Sequence, residues 1–305
     1  MAAPGTPTFD QLRLFLAVVE TGSFAGAARR LNRAVSVVSY GIANLEAQLG
    51  VLIFDREGTR RPQLTEAGRA VLAEARAIAT GMDALRAKVK GLLEGLEAEV
   101  GLAVDVMFPS DRLGRLLREF SGAFPTVSLR LHVDAMGAIP AHVLERRAVI
   151  GVAGPLAAEV EGLERIELAS VVLVPVAAPD HPLARLDVIP PGATRDHVQL
   201  VLTDRSPMTQ GRDFGVHSAR SWRLADLGAK HQLLREGIGW GNMPLAMVEA
   251  DLVAGTLVRL ALPDYGGEPY RLSGIWRRDE PPGPAASWLL RQFVDCAEEG
   301  EARAA

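Results

Sequence analysis

Residues 9–50 read FDQLRLFLAVVETGSFAGAARRLNRAVSVVSYGIANLEAQLG, and the spacing of their apolar residues predicts three consecutive helices. The first helix has an apolar face formed by Phe9, Leu12, Phe15 and Val19. Gly22 is suited to end that helix, and Ser23 is suited to cap the second, over residues 24–31. Only residues 32–34 separate the second helix from the third, and two helices joined by so short a turn are typical of a helix-turn-helix.

The third predicted helix has two chemically different faces. Its apolar face, which Gly50 closes, consists of Val38, Ile42, Leu45 and Leu49. Its opposite face carries small or hydrogen-bonding side chains, namely Ser36, Val37, Ser39, Tyr40 and Asn44. Such side chains suit close approach to base edges and phosphates, so this face is predicted to enter the major groove of DNA.

A basic segment follows the three helices. Residues 51–54 are apolar and predict a short strand, and the loop after it carries Arg56, Arg60 and Arg61. A strand followed by a basic loop indicates a wing that touches the sugar-phosphate backbone. Residues 1–70 hold eight Lys/Arg against six Asp/Glu, so positive charge gathers there although the chain has a net charge of −4. On pattern alone, a plain three-helix bundle with solvated arginines remains an alternative interpretation.

The remaining composition excludes several kinds of site. The 305 residues suggest about two domains. The single cysteine, Cys296, excludes an internal disulfide and a cysteine-rich zinc site, and the six histidines show no HxH or HExxH spacing. We therefore expect no metal and no cofactor. Because no basic-apolar leader and no apolar run of membrane-spanning length occur, no membrane partner is expected and a cytoplasmic location is predicted.

From residue 71 onward, apolar residues alternate in steps of four and three, at Val71, Ala75, Ile78, Met82, Leu85, Val89, Leu92 and Leu96. Such a heptad seam is typical of a long helix that pairs with another helix. A helix over residues 66–94 would extend roughly 40 Å. On periodicity alone, a helix that lies on its own domain remains the alternative.

The C-terminal two-thirds indicates alternating strands and helices. Alternating apolar residues predict strands at residues 100–106 and 127–133, with a helical pattern between them and a further strand at 149–153. A second set of strands is predicted at residues 170–177, 198–203 and 223–227, with helices near 230–236 and 244–254. A strand at 270–277 and a helix at 285–299 close the chain. The pattern predicts an α/β domain with mostly parallel strands.

These motifs together resemble the LysR-type transcriptional regulators. The matching segments are GSF at 22–24, AARRL at 27–31, VS at 38–39, IANLE at 42–46, LG at 49–50, FDR at 54–56, LTEAG at 64–68, APDHPLA at 178–184, GIGWGNMP at 237–244 and GTLVRL at 255–260. The resemblance covers nearly the whole chain. Ala34, Val35 and Ser36 stand where the family commonly has Ser-Gln-Ser/Pro.

The resemblance implies a multidomain chain of mixed α+β and α/β classes. It predicts a winged helix-turn-helix at residues 1–65, a dimerisation helix at 66–96, and at 97–305 a two-lobed α/β effector domain similar to periplasmic solute-binding proteins. Lobe I would comprise residues 97–166 and 267–305, and lobe II residues 167–266. The expected DNA contacts are Ser23, Arg33, Val35, Ser36, Ser39, Tyr40, Asn44, Arg56, Arg60 and Arg61.

Expected partners are double-stranded promoter DNA, a small-molecule effector and further copies of the chain, as a dimer or tetramer on an interrupted palindrome. Contact with RNA polymerase, and association with the bacterial nucleoid while bound to DNA, are also anticipated. A constitutive DNA-binding or architectural protein with a vestigial effector domain remains the alternative. An enzyme is not expected, because the pairs Asp180–His181 and Asp196–His197 lack an accompanying nucleophile or metal spacing.

Ligands in such two-lobed folds bind between the lobes, beyond the carboxyl ends of the strands. The candidate effector contacts are Pro109, Ser110, Asp111, Met136, Gly137, Gly154, Thr203, Asp204 and Asn242. Ser110 and Thr203 are expected to face each other across the cleft, and Asp111 and Asp204 to make it acidic. Such a cleft would favour a neutral or amine-bearing effector over a carboxylate.

Overall fold

The computed structural model describes residues 5–55, 62–212, 214–263 and 269–302, with side chains through residue 295. The chain divides into two compact units, Met1–Lys90 and Gly91–Ala305. Across the described ranges, no helix is both long enough and apolar enough to cross a membrane.

Three helices form the core of the N-terminal unit: α1 (Phe9–Thr21), α2 (Phe24–Arg30) and α3 (Val35–Leu49). Gly22 ends α1 in the left-handed conformation, and the Ser23 hydroxyl accepts the Gly26 N–H to cap α2. Gly50 ends α3 in the same left-handed conformation as Gly22. The predicted helix-turn-helix is present, and α1 and α3 end at the two glycines that the sequence supplies.

The wing strands are shorter than predicted. Strand β1 (Phe54–Asp55) pairs antiparallel with β2 (Gln63–Leu64). The expected strand at 51–54 is therefore wrong in its bounds: Val51 and Leu52 are exposed and lie outside β1, whereas Ile53 and Phe54 enter the core. The Ile53 and Phe54 N–H groups donate to the buried Glu46 carboxylate instead of to a neighbouring strand.

Helix α4 (Glu66–Leu93) covers most of the predicted seam. Its first turns pack on the N-terminal core, where Ala75 is fully buried and Val71 partly buried. Further along, the seam side chains of Ile78, Leu85 and Val89 are about half exposed in the single chain. The start of α4 therefore lies on its own unit, whereas the rest presents an apolar stripe to solvent, and the pairing of this stripe with another helix stays a prediction.

The C-terminal unit contains the following elements in chain order: β3 (Glu99–Asp105), α5 (Ser110–Ala123), β4 (Ser128–Asp134), α6 (Ala138–Leu144), β5 (Ile150–Ala153), β6 (Leu163–Val171), β7 (Leu173–Ala177), β8 (Gln199–Leu202), β9 (Ser221–Leu224), α7 (Leu227–Arg235), β10 (Trp240–Pro244), α8 (Leu245–Ala254), β11 (Val258–Arg259), β12 (Tyr270–Arg277) and α9 (Pro284–Ala302). They form two five-stranded sheets.

Each sheet is the centre of one lobe. Lobe I has the strand order β4-β3-β5-β12-β6, in which β3 is parallel to both of its neighbours and β12 is antiparallel to both of its own. Lobe II has the order β11-β7-β10-β8-β9, with β8 parallel to β9 and β10. The chain passes from lobe I to lobe II between β6 and β7, and returns between β11 and β12. The predicted double crossover is present.

The first crossover lies later than predicted. Strand β6 pairs with β12 as far as Val171, and only Val172 separates it from β7, which pairs with β10. The lobe boundary expected at 166 therefore moves to Val172, and the single strand expected at 170–177 belongs to two sheets. An unbroken apolar run from Val171 to Val174 spans this point, and no turn residue marks the place where the strand changes partner.

Candidate DNA-binding face and effector cavity

The outer face of α3 is open to solvent as the sequence predicts. Ser36, Val37, Ser39 and Tyr40 are exposed and Asn44 is half-buried, while Val38 and Leu45 on the opposite face are fully buried. Tyr40 is 70 % exposed, which is unusual for a tyrosine held by its own domain. This face can enter a groove without displacing any packing.

The start of α3 offers a further contact with phosphate. Ala34 precedes the helix and has no side-chain acceptor, so no side chain caps the first turn. Val35, at the first helical position, is exposed. An uncapped helix N-terminus attracts phosphate through its N–H groups and its dipole. The Ser23 oxygen, by contrast, already accepts the Gly26 N–H.

The basic residues expected on phosphates differ in their surroundings. Arg33 is paired with Asp10 through two hydrogen bonds of 2.9 and 3.0 Å from its guanidinium to the carboxylate. This exposed ion pair joins Arg33 to the first turn of α1, and the expected contact of Arg33 with a phosphate stays a prediction. Arg56, Arg60 and Arg61 lie outside the described residues.

Between the two lobes lies a cavity of about 280 Å³, which we call the interlobe cavity. Its lobe I wall includes Met107, Met136, Leu156 and Glu159, from the loops after β3, β4 and β5. Its lobe II wall includes Leu173, Leu200, Leu202, Phe214, Lys230 and Asn242, and Tyr270 lies at the crossover. The lining is mostly apolar with a few polar groups, as is usual for a small-molecule site.

Lys230 and Asn242 are the polar lining residues with unused hydrogen-bonding capacity. Lys230, on α7, is only 3 % exposed, and its Nζ donates to the Asn242 backbone oxygen at 2.7 Å. Burial lowers the pKa of Lys230 to about 8. The Asn242 side-chain oxygen is buried and has no hydrogen-bond partner. Both groups belong to lobe II.

The other polar groups of the cavity are already engaged. The Gln199 side chain bonds the backbone of Gly215, His217 and Ser218, and Glu159 pairs with Arg212 at 2.9 Å. Among the described residues, no group of three or more His, Cys, Asp or Glu side chains could hold a metal ion.

Asp105, at the end of β3, joins three parts of the cavity wall. Its carboxylate accepts the Tyr270 hydroxyl at 2.7 Å and the Met136 N–H at 3.3 Å, together with the Met107 and Gly154 N–H groups. Burial raises the pKa of Asp105 to about 6 against the opposing effect of these hydrogen bonds. Met136 has a positive φ of 49°, which is rare for a non-glycine residue. Asp105 therefore holds both Met136 and Tyr270 in place.

The structure brings together only some of the predicted effector contacts. Met136 and Asn242 line the interlobe cavity, and Gly154 lies directly against the Tyr270 ring. Gly137 lies against Ser206 and Met208 of lobe II, so it marks a contact between the lobes.

The predicted pairing of Ser110 with Thr203 is wrong. Pro109, Ser110 and Asp111 line a separate cavity beside α7 and α8, whereas Thr203 and Asp204 line an open pocket near Arg212. Asp111 is exposed and pairs with Arg115, and Asp204 bonds the Thr209 hydroxyl. Asp111 therefore lies apart from the interlobe cavity, whereas Asp204 lies at the contact between the lobes, where its side chain approaches Gly137. Burial raises the pKa of Tyr270, and the negative charges of Asp105 and Asp204 add to that rise, so the acidic contribution of Asp204 stays a prediction.

The sequence analysis missed Lys230, Tyr270 and Asp105. The burial of Lys230 could have been predicted from the sequence. Leu227, Lys230 and Leu234 have the spacing of one helical face, and all three are buried. A lysine at an otherwise apolar face position indicates a buried cation. Asp105 and Tyr270 lie far apart in the chain and offer no local pattern. His181 instead has a local structural role, since its Nδ1 accepts the Leu183 N–H.

Comparisons with known proteins identify the same family in both parts of the chain. Residues 9–69 match the family model described as bacterial regulatory helix-turn-helix protein, lysR family, and residues 94–297 match the LysR substrate binding domain. The probable HTH-type transcriptional regulator YhaJ of Escherichia coli K12 is 27 % identical over 312 aligned positions, covering 96 % of this chain and 98 % of that protein.

Two full-length solved structures share the fold. An OxyR mutant from Corynebacterium glutamicum is 21 % identical with a TM-score of 0.54, covering 98 % of this chain and 97 % of its own. LysG from the same organism, solved with bound effector Arg, is 21 % identical with a TM-score of 0.50. The alignment covers 96 % of this chain and 98 % of the LysG chain.

Proposed function

Because this chain belongs to the LysR family of bacterial transcriptional regulators, we propose that it binds promoter DNA through the exposed face of α3 and responds to a small molecule held in the interlobe cavity. The observation that carries the proposal is the cavity itself, which is lined from both lobes and from the crossover at Tyr270. A ligand there touches both lobes and can therefore change the angle between them.

The mode of DNA binding follows from the N-terminal unit. Ser36, Ser39 and Tyr40 read base edges in the major groove, Asn44 and Val35 flank them, and the uncapped start of α3 meets a phosphate. The half-exposed seam of α4 pairs with a second copy, so the DNA site has approximate two-fold symmetry. Two such dimers bind one promoter region as a tetramer. The protein acts in the cytoplasm, and its bound position allows contact with RNA polymerase.

The interlobe cavity also bears on the constitutive alternative. A vestigial domain would be expected to fill its cavity with side chains, since empty apolar space costs stability. Here about 280 Å³ stays open between the lobes. This open space favours a site that still receives a ligand. LysG offers a parallel in a fold of this kind, since it was solved with an arginine effector.

A cavity-filling variant tests the proposal. Leu173→Trp places a larger side chain in the cavity, and Val188→Trp, at an exposed position, is the matched control. We expect the output of the regulated promoter to vary across carbon sources with the wild type and the control, and to stay constant with Leu173→Trp. Footprints on the promoter should be the same for all three proteins. A constant output already in the wild type would instead support the constitutive alternative.

A further inference from the structure

We propose that the first turn of α3 recognises thymine through the 5-methyl group that this base presents in the major groove. The contacting atoms are the γ-methyl groups of Val35 and Val37, which we call the valine pair. The inference rests on the proposed entry of α3 into the major groove, and it names the base that the helix selects there. Each half of the DNA site therefore holds a thymine beside the start of α3.

The valine pair is exposed although both side chains are wholly apolar. Val35 is 47 % exposed and Val37 is 44 % exposed, and the two lie on either side of Ser36 at the start of α3. Val38, the next residue, is fully buried, so a third valine already supplies the core at this point. Exposed apolar side chains on a helix that enters DNA gain free energy only where the partner offers apolar surface in return.

The rest of α3 lacks the side chains that read the other bases. Arg and Lys, which bond guanine O6 and N7, are absent from its sequence VSVVSYGIANLEAQL. Glu46, which could accept from cytosine N4, is buried and accepts two backbone N–H groups. Asn44 and Gln48, which could bond adenine, are half-buried and lie further along the helix. The first turn therefore meets the bases with hydroxyl and methyl groups alone.

Thymine alone carries an apolar group on its major-groove edge. Its 5-methyl group lies beside its O4 acceptor, whereas guanine, adenine and cytosine present N7, O6 or amino groups. A contact between two methyl groups removes apolar surface of both partners from water. A valine against a purine edge would displace water from polar atoms without replacing its hydrogen bonds. The Ser36 hydroxyl, between the two valines, can donate to the thymine O4 at the same time.

The start of α3 permits the close approach that a methyl contact requires. Such a contact is favourable only at about 4 Å between carbon atoms. Ala34, immediately before the helix, carries only a methyl group and provides no side-chain cap. Arg33, the nearest long side chain before it, is paired with Asp10 of α1. Since recognition helices of this motif contact bases with their N-terminal residues, the valine pair lies where base edges are met first.

Replacing thymine by uracil tests the inference, because uracil keeps every hydrogen-bonding atom of thymine and lacks only the methyl group. Duplexes that bind the full-length wild-type protein are first selected from a random-sequence pool. Single thymines of a selected duplex are then replaced by uracil, and fluorescence anisotropy at fixed salt concentration measures each affinity. At one thymine of each half-site, uracil should weaken binding about four-fold, which corresponds to one buried methyl-sized group.

A second measurement adds the methyl group back on a different base. Replacing the sensitive T·A pair by C·G should weaken binding, and 5-methylcytosine in place of that cytosine should recover about the factor that uracil lost, because it returns a methyl group to the same place. This measurement uses the wild-type protein only. No gain from 5-methylcytosine would contradict the methyl contact.

Variants of the valine pair assign the effect to α3. The double variant Val35→Ala/Val37→Ala should bind the thymine and uracil duplexes equally, because the alanine side chains end short of the methyl group. Val253→Ala makes the same change at an exposed position of α8 and should keep the difference between the two duplexes. Thermal unfolding should be the same for the double variant and the wild type, since both valines are exposed.

The outcomes separate this inference from the proposed function. Selected duplexes that bind equally well with uracil at every thymine would overturn the methyl contact while confirming DNA binding. A difference that persists in the double variant would also overturn it, because another residue would then contact the methyl group. A pool from which no sequence is enriched would overturn sequence-specific binding through α3, and this inference with it.

Discussion

At the scale of single residues, Lys230 couples the stability of the chain to pH. Its pKa is about 8 in the folded protein and near 10.5 in an unfolded chain. Between these values the unfolded state holds a proton that the folded state has lost, so the free energy of unfolding should rise as the pH rises from 8.

At pH 8 the free energy of unfolding of the wild type should be lower than that of Lys230→Met, because the wild type buries a charged amine. We expect this difference to shrink between pH 8 and 9.5 by on the order of 2 kcal/mol. Urea unfolding of both full-length proteins across this range measures it. The comparison cancels other titrating groups, including Tyr270, whose pKa burial raises well above its ordinary value. A difference that stayed constant across the range would show that the amine titrates normally.

Asp10 limits what Arg33 can do for DNA binding. Asp10→Asn should release the Arg33 guanidinium from its two hydrogen bonds and make it available to a phosphate. The log–log salt dependence of binding should then steepen by about 0.9 for each arginine that reaches DNA. Fluorescence anisotropy at several salt concentrations measures the slope. Asp111→Asn makes the same charge change in the C-terminal unit and should leave the slope unaltered, and an unchanged slope for Asp10→Asn would place Arg33 away from the backbone.

Residues whose role is set by their near neighbours in the chain were predictable. Gly22, Ser23 and Gly50 end and cap helices as expected, because capping is decided within one turn. Ser110 and Thr203 were misplaced because their meeting depended on how two lobes close, which no local pattern encodes. The charge of the cavity depended on Lys230, whose helical face becomes evident only when the whole of α7 is considered.

At the scale of elements, the seam of α4 makes a testable claim about assembly. Leu85 is 55 % exposed and Val89 48 % exposed in the single chain. Leu85→Asp places a charge where a second helix should pack, and a charge buried without a partner is costly. Sedimentation should therefore show a shift from oligomer toward single chains.

The matched control for the seam is Ala87→Asp, which adds the same charge to the opposite side of α4. It should keep the mass of the oligomer. Thermal unfolding of both variants should match the wild type in the C-terminal unit, since neither side chain belongs to it. An oligomer that withstood Leu85→Asp would remove this stretch of α4 from the interface.

Elements with a strong internal period were predicted nearly to their ends, as α3 and β12 show. The division between β6 and β7 was not, because the apolar run from Val171 to Val174 contains no turn residue where the strand changes partner at Val172. The strand expected at 51–54 was misplaced for a related reason. Apolar side chains indicate burial, whereas the Ile53 and Phe54 N–H groups find their acceptor in a side chain of α3.

At the scale of the whole molecule, Gly137 is a point where the lobes touch. A Cβ atom there would lie 2.5 Å from the Ser206 hydroxyl and 2.9 Å from the Met208 Cβ, although its backbone suits any residue. Gly137→Ala should therefore push the lobes apart and lower the melting temperature. It should also weaken the binding of any ligand that contacts both lobes.

Gly114→Ala is the control for the lobe contact. Gly114 lies inside α5 with open space around its Cβ position, so alanine there should stabilise the protein by roughly 0.5–1 kcal/mol. Differential scanning calorimetry and promoter output should be measured for both variants. If Gly137→Ala changed neither the melting temperature nor the promoter output, the close contact of the lobes at Gly137 would contribute neither to stability nor to regulation.

The exposed stripe on α4 also has a consequence for how promoter occupancy depends on the cellular concentration of the protein. Pairing through α4, as proposed, covers that stripe only when two chains meet. While single chains predominate, the paired form then grows with the square of their concentration. A cell that makes few copies leaves the promoter nearly empty, and a modest rise in synthesis fills it steeply. Gene dosage would thereby set a threshold below which the effector has nothing to control.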